Sequence, residues 1–311
     1  SKRDLVVWTK AAEVALMLAG AISLWLAPDG WLPLLVLGGM GLQSALFAPG
    51  KYGLLPEMLP HDQLTQANGR LEATSFLAII LGTVAGGVML DQCRAQLWLA
   101  GAGLALLSLI GLVATLRLPK LAKSGGGEPA LVVVRSAWTT VRGDRSLWLA
   151  MLGTIAFWSL ASLLGQDVLV YGKQVLQFGD DLAAVPDALF AIGVGAGALL
   201  AGRPAKGKVE VGLIPLGALG LLLGTTVMGV LMPGRVGTFV WMTLLGIASG
   251  FVVVPLNALV QWRAPRERRG AVIALVNLLS FAGMLIGFFA CFWLSAAGLD
   301  CGAILLIAAV L

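Results

Sequence analysis

Residues 75–82 read SFLAIILG and residues 280–287 read SFAGMLIG, so one serine–phenylalanine–glycine pattern returns after 205 positions. Pro49 and Pro255 repeat at an offset of 206, each downstream of a glycine-rich stretch, LGGMG or LGIASG. Six apolar spans separate the members of each pair, and an even number of membrane crossings leaves two copies pointing the same way. The sequence therefore predicts two parallel structural repeats.

The composition is typical of a chain that crosses a membrane many times. Hydrophobic residues occupy 59% of the 311 positions and charged residues 12%, with a mean hydropathy of +0.92. Soluble domains carry about 25% charged residues, and a helix needs about 20 apolar residues to cross the hydrocarbon core. We predict an all-α polytopic membrane protein. Nine spans and the start of a tenth are expected at 5–27, 31–55, 68–90, 96–117, 146–171, 184–202, 209–232, 236–262, 270–297 and from about 302.

Basic residues concentrate on one side of these spans. The loops 1–4, 56–67, 118–145, 203–208 and 263–269, with Arg70 and Arg117 at their edges, hold 16 of the 21 Lys and Arg residues. The opposite loops hold three. Such an excess marks the cytoplasmic side. The pI of about 9.4 is then explained by these loops, and no nucleic-acid partner is predicted.

The repeat also divides the chain. Spans 146–171 and 184–202 have no counterpart in the first part, so two helices of a twelve-helix parent are expected before Ser1. We predict an N-terminal bundle of helices three to six (1–117), a cytoplasmic linker (118–145) and a C-terminal bundle of helices seven to twelve, the last truncated (146–311). Within the linker, LVVVRSAWTTVR (131–142) predicts a short basic helix on the membrane surface.

Lys51 is a charge inside an apolar span, in the stretch FAPGKYGLLPEML (47–59). A charge at the bilayer centre costs about 2.5–3.5 kcal/mol on insertion scales, so it normally faces a wet cavity or an acidic partner. Pro49 and Pro56 favour an interrupted helix with free carbonyl groups. The repeat maps Lys51 onto Asn257, on the opposite wall. We interpret Lys51 as a cation for an anionic substrate group; a lysine that snorkels to the interface is the alternative.

Further polar residues complete the predicted substrate site. Each shares a helix face with another: Gln43 with Lys51, Asn257 with Gln261, and Asn68 with Glu72. Glu72 is predicted to pair with Lys51 when no substrate is bound. An interfacial carboxylate, stabilised by the dipole of its helix, is the alternative for Glu72.

Asp167 and Tyr171 share a face toward the outer end of their helix. They are predicted to form an outer gate or to contact a polar head group, and a solvated helix end is the alternative. Asn277 is expected to make a helix–helix hydrogen bond. Four glycine pairs are interpreted as helix-packing devices: Gly82/Gly86, Gly193/Gly197, Gly246/Gly250 and Gly283/Gly287.

Neither catalytic nor cofactor chemistry is predicted. The three cysteines are scattered, and the sole histidine, His61, has only Asp62 beside it in a loop. GRPAKGKV (202–209) has the spacing of a phosphate-binding loop, but Val209 stands where Ser or Thr should hold a metal ion. We therefore predict a protein that is not an enzyme and has no cofactor or metal.

FAPGKYGLLPEMLPHDQLTQANGRLEATSFLAIILGTVAGG (47–87) and AGRPAKGKVEVGLIPLGALG (201–220) resemble the lysophospholipid transporters of the major facilitator superfamily. The resemblance covers nearly the whole chain. It implies two pseudo-symmetric six-helix bundles, here without the first two helices and most of the last. It also implies movement of lysophosphatidylethanolamine, or a similar monoacyl lipid, to the inner leaflet of a bacterial inner membrane for reacylation. PGKYGLLPE (49–57) resembles the branch that is fused to an acyltransferase and acyl-carrier-protein synthetase, which implies such a partner.

In this interpretation Lys51 takes the lipid phosphate, and Glu72 or Asp167 takes the ammonium group. A glycine-rich apolar wall takes the tail, and surrounding membrane lipids are the other contacts. Two other functions stay open: a drug or small-solute exporter, and a non-transporting membrane anchor for a fused acyltransferase. A sugar site favours aromatic side chains, and only two tyrosines occur here.

Overall fold

A computed structural model describes residues 2–93, 96–119, 129–179, 182–203 and 210–310. In these ranges the chain forms eleven α-helices and a 3₁₀ turn at His61–Gln63. The helices are α1 (Lys2–Leu26), α2 (Leu32–Met58), α3 (Leu64–Gln92), α4 (Leu97–Leu116), α5 (Ala130–Gly143), α6 (Arg145–Gln174), α7 (Val185–Ala201), α8 (Leu213–Leu231), α9 (Arg235–Arg263), α10 (Arg269–Ala296) and α11 (Cys301–Val310).

The nine predicted spans are confirmed as helices, with ends that differ by at most four residues. Eight of the described helices are long and apolar enough to cross a membrane, while α7 has 17 residues and α11 has 10. The predicted linker helix is α5, and residues 120–128 of the linker lie outside the described part. The chain is therefore a multi-pass helical membrane protein.

α2 and α9 are continuous although both contain prolines. Pro49 and Pro56 lie within α2, and Pro255 lies within α9. The predicted interruption of α2 is therefore wrong. At the end of α2, the Pro56 carbonyl group is among the last that have no intrahelical partner. It accepts a hydrogen bond from Arg269 Nη1 of α10 at 3.4 Å, which links the two helices.

The start of α6 is capped by Asp144. Its Oδ1 accepts hydrogen bonds from the backbone N–H groups of Ser146 at 2.9 Å and Leu147 at 3.2 Å. Side-chain oxygens at this position satisfy donors that a helix cannot pair internally. Arg263 Nη2, at the end of α9, lies 2.7 Å from Asp144 Oδ2. The start of α6 and the end of α9 therefore lie at the same end of the molecule.

α7 and α9 pack at backbone contact through two glycine pairs. A Cβ atom added to Gly193 would lie 2.9 Å from the Cα atom of Gly246, and one added to Gly250 would lie 2.8 Å from that of Gly197. Small residues at this spacing let membrane helices approach closely. The predicted packing role of these two pairs is confirmed.

The other two glycine pairs differ from each other. An added Cβ at Gly283 would lie 2.9 Å from the Ile155 carbonyl oxygen, so α10 packs closely on α6 there, and Gly287 contacts α6 in the same way. An added Cβ at Gly82 or Gly86 would have no described atom within 4 Å. The predicted packing role is confirmed for the α10 pair and is wrong for the α3 pair within the described part of the chain.

α3 is placed by close contact with α7. A Cβ atom added to Gly69 would lie 2.5 Å from the Ala198 carbonyl oxygen and 2.9 Å from the Cα atom of Gly202. This approach brings the neighbouring side chains Asn68 and Glu72 against α9. α2 packs on α1 and on α10. The candidate site lies where the end of α2, the start of α3 and the end of α9 meet.

Candidate functional site

Lys51 and Ser75 connect α2 to α3. The Lys51 Nζ atom donates a hydrogen bond to Ser75 Oγ at 2.7 Å, and Ser75 Oγ donates to the Leu71 carbonyl oxygen at 2.6 Å. The ammonium group also lies over the Tyr52 ring, 5.3 Å from its centroid, where the ring face attracts a cation. Lys51 is half-buried. The direct contacts of this charge are therefore neutral groups, within a polar cluster.

Glu72 bridges α3 to both α2 and α9. Its Oε1 atom accepts hydrogen bonds from the Tyr52 hydroxyl at 2.8 Å and from Asn257 Nδ2 at 3.0 Å. Only 3% of the residue is exposed, and a buried carboxylate is costly unless donors surround it. The predicted ion pair with Lys51 is not formed in this conformation, because Lys51 binds Ser75 and Glu72 binds these two donors.

A second bridge joins α3 to α9. Asn68 Nδ2 donates to Gln261 Oε1 at 2.8 Å, and Gln261 Nε2 donates to Asn68 Oδ1 at 2.9 Å. Both residues are buried. Asn68 and Glu72 are four residues apart on α3, as are Gln261 and Asn257 on α9, so two rungs join antiparallel helices. We call these four side chains the ladder.

The space beside the ladder is small. Tyr52, Asn257, Gln261 and Asn277 contribute the polar lining of a cavity of about 10 Å³, which accommodates one water molecule at most. Within the described part of the chain, Asn277 Nδ2 has no hydrogen-bond partner, so the predicted helix–helix hydrogen bond is not made by this atom. A lipid head group does not fit here, and binding one at this position requires α3 and α9 to separate.

Gln43 belongs to a different cluster, between α1 and α2. Its Nε2 atom donates to the Thr9 carbonyl oxygen and to Glu13 Oε2, both at 3.1 Å, and the residue is 5% exposed. Glu13 also accepts from Lys10 Nζ at 2.8 Å. The expectation that Gln43 lies beside Lys51 is wrong, because eight helical residues rotate about 80° beyond two full turns. Substrate binding by Gln43 stays a prediction.

Asp167 and Tyr171 lie near the opposite end of the molecule from the ladder. The Tyr171 hydroxyl donates to the Pro233 carbonyl oxygen at 2.7 Å, and the residue is 1% exposed. Asp167 is fully buried, next to Cys301 at the start of α11. The two side chains are buried together, in protein contacts. Their predicted roles in an outer gate or in head-group binding stay predictions.

Tyr52 and Arg269 are site residues that no sequence pattern singled out. The signal for Tyr52 was its position next to Lys51 in a chain with only two tyrosines. Arg269 was counted as a loop charge, yet it is 4% exposed. It donates through Nε to the Ala264 carbonyl oxygen at 3.2 Å and through Nη1 to that of Pro56. Backbone carbonyl partners leave no signature in a sequence.

A larger cavity, of about 210 Å³, lies between α6, α8, α9 and α11. Its lining is apolar apart from Thr225, and includes Phe157, Leu221 and Leu256. None of the predicted charged or amide residues lines it. This cavity is therefore separate from the polar site at Lys51.

Comparison with known proteins agrees with this architecture. Residues 11–288 match the family model of the Major Facilitator Superfamily. The lysophospholipid transporter LplT of Yersinia enterocolitica is 33% identical over 282 residues, which is 87% of this chain and 67% of that protein. Its counterpart in Yersinia pestis strain Pestoides F is 32% identical over 278 residues, 87% of this chain and 66% of that protein. The chain thus spans about two thirds of the length of these curated relatives.

Solved structures share the fold at low sequence identity. The E. coli fucose:proton symporter FucP has a TM-score of 0.74 at 14% identity, covering 100% of this chain and 81% of that one. The human organic anion transporter MFSD10 has a TM-score of 0.79 at 17% identity, and the match covers 99% of this chain and 75% of that one. These likenesses support the fold alone. On the family match and the identity to the curated relatives, the chain belongs to the Major Facilitator Superfamily and, within it, to the lysophospholipid transporter family.

Proposed function

We propose that this chain moves lysophospholipids, such as lysophosphatidylethanolamine, across or into the inner leaflet of a bacterial inner membrane, with its basic loops in the cytoplasm. The observation that carries the proposal is the half-buried Lys51 ammonium, bound to the neutral Ser75 hydroxyl in the cluster that also holds the buried Glu72 carboxylate. The names of the two Yersinia relatives support the substrate class.

The chemistry of the cluster suits a zwitterionic head group. A lysophosphatidylethanolamine head group carries a phosphate and an ammonium group a few bonds apart. Lys51 exchanges its Ser75 partner for the phosphate, because an ammonium group binds an ionised oxygen more strongly than a neutral hydroxyl group. Glu72 exchanges Tyr52 and Asn257 for the substrate ammonium. Both protein charges then have a charged partner in place of a neutral one.

Access to these groups requires the ladder to open. Its two rungs close the end of the molecule where α3 begins and α9 ends. We assign α1–α4 and α6–α11 to two bundles, divided as 1–117 and 146–311 with 118–145 between them. Separation of the two bundles at this end breaks both rungs and exposes Lys51 and Glu72 to the head group. Alternating access of this kind places the substrate site between repeats.

Reacylation would consume the transported lysophospholipid on the cytoplasmic side. We extend the proposal to an acyltransferase and acyl-carrier-protein synthetase, fused to this chain or associated with it, that consumes the lysophospholipid. The support is the sequence PGKYGLLPE at 49–57, which resembles the fused branch of the family. A pull-down from native membranes, followed by an assay for acylation of lysophosphatidylethanolamine, tests this extension. The absence of acyltransferase activity in the captured material would argue against it.

Reconstitution into vesicles tests the proposed function. Purified protein is placed in liposomes with fluorescent lysophosphatidylethanolamine in one leaflet, and albumin extraction measures how fast the label changes leaflet. Diacyl phosphatidylethanolamine with the same label is the matched control. We expect the monoacyl lipid to move faster than in protein-free vesicles and the diacyl lipid to move at the protein-free rate. Protein-free rates for both lipids would indicate an anchor, and movement of a small solute alone would indicate a solute exporter.

A further inference from the structure

The junction of α5 and α6 places one arginine beside two tryptophan rings. Trp138 of α5 and Trp148 of α6 meet edge to face, with their ring centroids 5.6 Å apart. The Arg142 guanidinium carbon lies 4.9 Å from the Trp138 centroid and 5.4 Å from the Trp148 centroid. A guanidinium group held against ring faces still offers N–H donors along its edge. The two rings therefore position the Arg142 charge at the surface and leave these donors available.

Arg142 and Arg145 are exposed, and neither forms an ion pair with any of the described residues. Asp144 lies between them in sequence, but its Oδ1 atom caps α6 and its Oδ2 atom binds Arg263. Arg145 is also the first residue of α6, where a cation opposes the helix dipole. An ion pair therefore accounts for neither charge, and helix stability does not account for Arg145.

The side of α5 that carries these charges is the one that it does not use for packing. Ala137 and Val141 are fully buried, and α5 packs on α6 and α10. Arg135 and Arg142 are seven residues apart, lie on the same helix face and are exposed. The exposed side of α5 therefore carries a positive potential, which attracts anionic head groups.

The surface of α6 changes from basic to apolar within one turn of this junction. Leu149 and Leu152 are 55% and 42% exposed, and they share a helix face with Arg145. In a multi-pass membrane protein, exposed leucines of this kind face lipid tails, and tryptophan is enriched where the tails meet the head groups. Arg142, Arg145 and Trp148 therefore lie at the level of the head groups.

We propose that this junction is a binding site for the phosphate group of an anionic phospholipid of the surrounding membrane. Arg142 and Arg145 donate hydrogen bonds to the phosphate oxygens, a pairing to which the planar guanidinium group is suited. The acyl tails lie along Leu149 and Leu152. An anionic lipid is preferred over a zwitterionic one, because a head-group ammonium would add positive charge beside two arginines. The site shares no residue with the candidate substrate site, so the inference goes beyond the proposed function.

Native mass spectrometry of the purified protein tests the proposal without any transport measurement. Phosphatidylglycerol is the anionic probe, and phosphatidylcholine with the same acyl chains is the zwitterionic one. We expect the wild type to bind phosphatidylglycerol more tightly than phosphatidylcholine, and Arg142→Gln and Arg145→Gln each to weaken phosphatidylglycerol binding about fivefold. Arg70→Gln is the matched control and should bind as the wild type does, because Arg70 is exposed near the start of α3 and contacts no ring among the described residues.

Three outcomes would overturn the proposal. One is equal affinity of the wild type for the two lipids, a result that does not depend on any variant. Another is the same affinity in Arg70→Gln as in Arg142→Gln, which would indicate attraction by the overall charge of the surface. The third is displacement of phosphatidylglycerol by glycerol 3-phosphate at equal concentration, which would indicate a site for free phosphate. Since neither lipid probe is a monoacyl lipid, these results are independent of the proposed transport.

Discussion

Asn68 of α3 and Gln261 of α9 exchange two amide hydrogen bonds, at 2.8 Å and 2.9 Å, in a fully buried contact. Residues that are 193 positions apart in sequence thus satisfy each other's polar groups. A buried amide that loses its partner costs more than the net value of the bond it made. This rung therefore favours the closed arrangement of the ladder, and it must be exchanged for water or substrate contacts when that end opens.

The two amides should behave as one unit. Asn68→Ala leaves the buried Gln261 amide without its partner, and Gln261→Ala leaves Asn68 Oδ1 without its donor while Asn68 Nδ2 keeps its hydrogen bond to the Leu64 carbonyl oxygen at 2.8 Å. Each variant should therefore lower the free energy of unfolding by about 1–3 kcal/mol. The double variant should lose less free energy of unfolding than the two single variants together, because it removes both amide groups and leaves neither without a partner. A double-mutant cycle, measured by denaturation in mixed micelles, checks this coupling. Strict additivity would contradict the buried pair.

Glu72→Gln should change head-group preference. The substitution keeps the shape of the side chain and a hydrogen-bond acceptor for Asn257, but removes the negative charge proposed for the substrate ammonium. We expect slower movement of lysophosphatidylethanolamine and little change for lysophosphatidylglycerol, whose head group has no ammonium. Leaflet-exchange rates of the two labelled lipids measure this directly. An equal loss for both lipids would contradict the assignment of Glu72 to the ammonium group.

Close packing of α7 on α9 should not tolerate a larger residue. Gly197→Leu places a branched side chain where even a Cβ atom meets the Ile247 carbonyl carbon at 2.9 Å, and overpacking costs about 1–3 kcal/mol or more. We expect a lower melting temperature or loss of folded protein on size-exclusion chromatography. Gly82→Leu is the matched control, because an added Cβ there meets no described atom within 4 Å. Similar losses in both variants would be inconsistent with this packing.

The cap of α6 should give a pH-dependent contribution to stability. Burial alone would raise the pKa of Asp144, but the Leu147 N–H group, the Arg263 guanidinium and the Ser146 N–H group outweigh burial and hold the pKa below its usual value. A carboxylate with a lowered pKa stabilises the fold above its unfolded-state pKa of about 3.9 and loses that effect as the pH falls through its folded-state pKa.

Asp144→Ala should therefore cost about 0.5–2 kcal/mol of unfolding free energy at neutral pH. The difference from the wild type should shrink as the pH falls below about 3.9. Asp144→Asn is the control, because it keeps a capping oxygen and loses the ion pair with Arg263. Thermal melts across this pH range provide the measurement. A wild-type advantage of the same size in acid would show that the ionised carboxylate is not its source.

The spans could be predicted from sequence because hydropathy is a local property. A helix in lipid satisfies its own backbone hydrogen bonds, so each apolar stretch specifies an element without reference to its neighbours. The continuity of α2 through Pro49 was missed for a related reason. Proline marks a lost hydrogen bond in any sequence, but whether the helix bends or continues depends on the neighbouring helices.

The site could be predicted only in part. The repeat predicted that Lys51 and Asn257 belong to the site. In the structure Lys51 contacts α3 through Ser75, and Asn257 contacts α3 through Glu72. The hydrogen-bond partners of Glu72 could not be predicted from the sequence, because they are Tyr52 from one helix and Asn257 from another. Helical spacing also misplaced Gln43. Such tertiary partners depend on how helices rotate against one another, which a periodic pattern does not specify.

The central claim is that the Lys51 charge binds the substrate phosphate, and substitution of that charge at nearly constant length tests it most directly. Lys51→Met removes the ammonium and keeps a long side chain, whereas Lys51→Arg keeps the charge. In vesicles with equal amounts of folded protein, we predict at least about a tenfold loss of lysophosphatidylethanolamine movement in Lys51→Met, corresponding to about 1.4 kcal/mol. Lys51→Arg should retain measurable movement. Wild-type rates in Lys51→Met would contradict the account.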